Sequence, residues 1–89
     1  MKRKFFNLKI LSSSGFSTFK WPVDCNRIIA VKENDDFAIF TLSNMDETEE
    51  ITCPIEDLAK NSKFVEFLKY NKEDIYEILK ENLEYYKED

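Results

Sequence analysis

The hydrophobic pattern changes its period at Pro54, and that change constrains the fold more than any other feature of the chain. Before it, Phe6, Leu8 and Ile10 alternate with Phe5, Asn7 and Lys9, the two-residue period of a strand with one buried face. After it, apolar residues recur three and four positions apart, the period of amphipathic helices. In 89 residues such a chain has room for one hydrophobic core. The expected architecture is therefore a single α+β domain over residues 1–89, with strands over 1–53 and helices over 54–87. An antiparallel sheet of four or five strands would carry two or three C-terminal helices on one face.

Turn chemistry divides the strand half. Ser12, Ser13, Ser14 and Gly15 end the first strand. Residues 16–21 can form a second, but Phe16 and Phe19 would fall on opposite faces, so a bulge or an irregular segment is expected there, with Pro22 as the stop. Residues 27–33 and 37–42 are β-branched and aromatic and flank Asn34, Asp35 and Asp36, the best hairpin in the chain. Neither strand alternates, which predicts cover on both faces: Ile28 and Ala30 turned one way, Ile29 and Val31 the other. A polar loop from Ser43 to Glu50 then leads to a short edge strand at Ile51, Thr52 and Cys53.

Pro54 suits the first position of a helix, and Glu56 and Asp57 favour its positive end. That helix should stop near Asn61. Ser62 can cap a second helix, which turns Phe64, Val65, Phe67 and Leu68 inward. Asn71 and Asp74 form a capping box for a third. There Ile75, Ile78, Leu79, Leu83 and Tyr86 share one arc, so the helix should run to about Lys87 with this face on the sheet.

Composition removes much chemistry. The chain has no histidine, one glycine (Gly15) and two prolines, so imidazole acid/base catalysis, Cys–His nucleophiles and glycine-rich phosphate loops lack their parts. Cys25 and Cys53 match neither a zinc site nor a disulfide framework and are expected as small buried hydrophobes. Asn44, Asp46 and Thr48 imitate the start of a calcium loop, but Glu49 stands where glycine is needed and Ile55 where the bidentate glutamate belongs. Asp35 and Asp36 belong to a turn. These absences point to a non-catalytic protein with no cofactor and no metal. The start Met1 to Phe6 imitates a secretory leader, yet Asn7 and Lys9 interrupt it, and no apolar run approaches the roughly 18 residues of a membrane span. The expected compartment is the cytoplasm, the host's if the gene is phage-borne, which the abundance of Lys, Asn, Ile, Phe and Tyr would fit.

Charge is segregated along the chain. Eighteen acids and thirteen bases leave a net −5. Residues 1–32 hold seven bases against Asp24 alone, residues 33–57 nine acids and no base, and residues 58–89 eight acids and six lysines. On the last helix Glu73, Glu77, Glu81, Glu84 and Glu88 fall within an arc of about 80°, a carboxylate stripe ~22 Å long. Its spacing of about one charge per 4.5 Å approaches the roughly 3.4 Å per phosphate of a DNA strand. Like charges at this spacing each cost the helix a few tenths of a kcal/mol. Glutamate-rich helix faces are also ordinary solvated surface, and Lys80 and Lys87 dilute the field.

Three functions follow as expectations. The first is a small acidic inhibitor or regulator that binds another protein. It would use Asp46, Glu47, Glu49, Glu50 and the five helix glutamates to imitate nucleic acid in the basic groove of a DNA- or RNA-handling enzyme, as a phage anti-defence protein would. The second is a nucleic-acid-binding module in which Lys2, Arg3, Lys4, Lys9, Lys20 and Trp21 on the N-terminal hairpin hold phosphates and stack bases. The third is a homo-oligomeric structural subunit, such as a homodimer with Ile29 and Val31 in the contact.

Overall fold

The strands form two sheets. A computed structural model describes residues 4–87. In it β1 (Phe5–Leu11) and β2 (Thr18–Asp24) make an antiparallel hairpin, paired without a break from Phe5↔Asp24 to Leu11↔Thr18. The turn between them closes with the Ser12 amide donating to the Ser17 carbonyl at 2.8 Å, and Gly15 takes φ +80°, a conformation open to glycine at little cost. No bulge occurs, and the irregular part is confined to Phe16 and Ser17 ahead of the strand. β2 begins two residues later, which leaves Phe16 in the turn and puts Phe19, Trp21 and Val23 on one face. Pro22 lies inside the strand rather than ending it, because β2 pairs on one side only and can spare an amide donor.

A single 3₁₀ turn, Cys25–Arg27, separates this hairpin from an antiparallel meander of β3 (Ile28–Asn34), β4 (Phe37–Asn44) and β5 (Glu47–Pro54). The one sheet expected is thus split into two strands and three. β1 runs beside β5, but no ladder joins the sheets. Splitting lets each sheet turn one face to a shared core, which a small domain needs in order to bury enough apolar area.

The expected loop over 43–50 is a second tight hairpin. β4 continues to Asn44 and pairs there with Glu47, leaving Met45 and Asp46 as the turn. The run Glu47 to Glu50 looked like loop because this half of β5 has no core behind it to demand alternation. A register shift between Ile28 and Ala30 corrects the expected pairing of faces: Ile28 is buried, Val31 packs against the same core, and Ile29 is 56% exposed at the irregularity. Ile29 and Val31 therefore do not form a common contact face. Nor is the meander covered on both sides, since Ala30, Lys32, Phe37, Ile39, Thr41 and Thr52 share its other face and none is buried.

Three helices complete the core: α1 (Ile55–Lys60), α2 (Ser62–Asn71) and α3 (Glu73–Tyr86). The cap of α2 is Asn61 rather than Ser62, its Oδ1 accepting the Phe64 amide at 3.1 Å. The capping box expected for α3 does not form. Asn71 is the last residue of α2 and its side-chain amide donates to the Phe67 carbonyl, so α3 starts after Lys72 with no side-chain cap. Ile75, Leu79 and Leu83 are buried as expected, whereas Ile78 is 49% exposed. Phe64 stands at the junction, its ring 5.7 Å from Phe6 of the hairpin and 5.9 Å from Phe40 of the meander, edge to face with both.

Candidate binding groove

The core between the sheets stops short of the β4–β5 turn. Beyond it lies an open groove of about 1050 Å³, walled by Ile10, Phe19, Trp21 and Val23 of the hairpin and by Leu42, Met45 and Ile51 of the meander; no residue of α1, α2 or α3 lines it. The register explains why. Leu8 faces Trp21 across the hairpin and Ile10 faces Phe19, so all four lie on the inner side. β1 is inside the molecule and its Leu8 and Ile10 are buried, while β2 overhangs, leaving Phe19 45% and Trp21 58% exposed. Their rings meet edge to face at 6.3 Å. At the mouth Met45 is 98% exposed and holds φ 57°, a left-handed conformation that costs an unbranched L-residue of order 1 kcal/mol.

Carboxylates surround this apolar wall. Asp24, Glu49 and Glu50 border the groove, Asp46 and Glu47 follow Met45 in the chain without lining it, and Arg27 is the one base among the lining residues. Arg27 is committed to the wall itself: its Nε donates to the Ser43 carbonyl at 2.6 Å and its Nη2 to Glu49 Oε1 at 2.9 Å. Both side chains keep solvent access, so the ion pair contributes no more than about 1 kcal/mol, but it fixes the 3₁₀ turn to the end of the meander.

The acidic residues singled out in the sequence fall into separate groups. Glu47 and Glu49 share the face of Leu42, and Glu50 lies on the other face of β5. Glu73, Glu77, Glu81 and Glu84 are exposed along α3, and none makes an ion pair or side-chain hydrogen bond to another described residue. Asn82 donates to Glu33, and Tyr86 to Asp36, which anchors the C-terminal end of α3 at the β3–β4 turn, the end of the meander away from the groove. Glu88 lies outside the described residues, as do Lys2 and Arg3.

Lys9 and Lys20 do not join Trp21. Lys9 and Lys20 are opposite each other on the hairpin's other face, and Lys9 Nζ sits 3.6 Å from Asp57 Oδ1. Lys4 is exposed just before β1. With Lys60 and Lys63 from the junction of α1 and α2, Lys9 and Lys20 border a shallow hollow of about 540 Å³. The linear sequence contains nothing that brings Lys60 and Lys63 to β1. In the same way Phe19, Met45 and Ile51 become groove residues only once the sheets are assembled.

Cys25 and Cys53 are free and fully buried. Burial pushes both thiols up to about 12, helped at Cys25 by Asp24 and at Cys53 by the neighbouring Cys25, so neither is a thiolate nucleophile at neutral pH. Among the described residues no three His, Cys, Asp or Glu side chains gather to hold a metal ion, and no helix is long and apolar enough to cross a membrane. Comparison with protein-family models, with curated proteins and with solved structures gives no match.

Proposed function

We propose that this chain is a non-catalytic regulator that acts by binding another protein through a basic surface of that partner. The observation that carries this is the groove: aromatic side chains left in solvent on the inner face of a hairpin, within a border of carboxylates. Exposed aromatics in a concave site are the usual anchors of protein interfaces. Carboxylates around them select cationic partners and speed their approach. The four glutamates of α3, which make no ion pair among the described residues, form a second acidic surface and support imitation of a nucleic-acid backbone, the phage anti-defence form of this function included.

The test is affinity capture from cells of the source organism or its host at low and at physiological salt, using the wild type, Trp21→Ala, and the triple variant Glu77→Lys/Glu81→Lys/Glu84→Lys. Capture of one basic protein, weakened by salt and by either variant in folded form, is the expected outcome. Equal capture by all three would remove both surfaces from the function.

One observation favours a second function, contact with a nucleic-acid backbone. Lys9, Lys20, Lys60 and Lys63 converge on one hollow from the hairpin and the helices. Titration of labelled single- and double-stranded DNA and RNA at low ionic strength separates the two: saturable, steeply salt-dependent binding lost in Lys20→Glu/Lys63→Glu would favour this one.

A further inference from the structure

We infer that the groove between the sheets receives a short basic segment of the partner protein, one in which lysine or arginine flanks an apolar side chain. This rests on the protein-binding function proposed above and specifies its occupant. Two features of the groove select the same chemistry. Its walls offer Phe19, Trp21, Ile51 and the exposed Met45 for an apolar side chain, and the ring faces that attract aliphatic groups also attract cations. Its borders carry Asp24, Glu49 and Glu50, and the guanidinium of Arg27 already meets Glu49. With Arg27 the one base among the described lining residues and already engaged, the remaining carboxylates keep the lining net negative. A polyanion is repelled there, and so is an anionic lipid surface. A cationic segment gains Coulomb attraction along the borders while its apolar side chain leaves water in the groove. The flexible thioether of Met45, held at the tip of a two-residue turn, can adjust to that side chain.

Trp21 is the chain's only tryptophan and stands in the groove wall, so its emission reports occupancy directly. The probe is a synthetic peptide of about nine residues alternating lysine with leucine, roughly 30 Å when extended, with a glutamate-for-lysine peptide as control. Saturable binding with a blue shift of Trp21 emission is expected for the lysine peptide and none for the control. Affinity measured by calorimetry should fall at least about tenfold in Trp21→Ala and severalfold in Asp24→Asn/Glu50→Gln. It should hold in Trp21→Phe, and in Glu66→Gln on the exposed side of α2, with every variant shown to be folded by circular dichroism.

Equal weakening by the groove substitutions and Glu66→Gln would overturn the proposal, since binding would then be diffuse charge attraction. A blue shift on adding DNA or anionic vesicles would overturn it too. So would a concentration-dependent blue shift of the protein alone with dimers in sedimentation, because a second copy would then be the occupant. If the peptide does not bind while capture of a basic protein persists in Trp21→Ala, the groove assignment fails and the protein-binding function stands; if both fail, both fall.

Discussion

Phe64 has no exposed surface and touches aromatic rings from both sheets, so it is the side chain whose loss should be felt most widely. Phe64→Ala is expected to lower stability by about 3–5 kcal/mol, read from urea unfolding, through lost burial and the cavity left between Phe6 and Phe40. Met45 is the opposite case. It contributes nothing to the core and occupies a left-handed turn position for which asparagine is far better suited. Met45→Asn should raise stability by up to about 1 kcal/mol in the same assay while weakening any ligand that uses the groove mouth. The inward turn of Phe64 was legible from its spacing to Phe67 and Leu68. The place of Met45 was not, because a turn at Met45 and Asp46 is visible only if Glu47 to Glu50 is recognised as strand, and four polar residues give no periodic signal.

At the scale of elements, the helices follow their apolar spacing more closely than their capping residues. Asn61 and Ser62 are both favourable cap residues, and the geometry uses Asn61. Asn61→Ala should cost about 1 kcal/mol in urea unfolding, whereas Ser62→Ala should stay within about 0.5 kcal/mol. The hairpin of β3 and β4 was legible because turn chemistry and β-branched residues agree. The register of β2 was not: Phe16 and Phe19 both look like core residues, and only assembly shows that Phe16 sits in the turn while Phe19 overhangs. An aromatic residue at an interface and one in a core carry the same sequence signal. The groove therefore could not be read from the chain, although its acidic border could.

For the whole molecule, the α+β order of strands before helices followed from the break in period at Pro54. The division into two sheets did not, because it depends on the 3₁₀ turn at Cys25–Arg27 redirecting the chain between β2 and β3. That division has a pH signature. Burial raises the thiols of Cys25 and Cys53 from the ordinary value of 9.0 to about 12, so the folded state keeps protons that the unfolded state gives up. The unfolded chain then binds fewer protons above pH 9, and stability falls as pH rises from there toward 12, by about 1.4 kcal/mol per pH unit for each thiol. Tyr86, raised to about 12 by its hydrogen bond to Asp36, acts with the same sign. Urea midpoints measured from pH 7 to 10.5 should hold steady to about pH 9 and then decline, and a Cys25→Ala/Cys53→Ala variant should decline less.

The two buried thiols also make the core a clock. An alkylating reagent reaches neither sulfur in the folded molecule, so each is labelled at the rate at which its own surroundings open. Cys25 follows directly on the hairpin sheet and Cys53 lies in the meander. If the sheets come apart as one cooperative unit the two sites are modified in step. If the overhanging hairpin peels away first, Cys25 is modified ahead of Cys53, and the interval between them measures how far the wall that carries Trp21 can move without unfolding the rest.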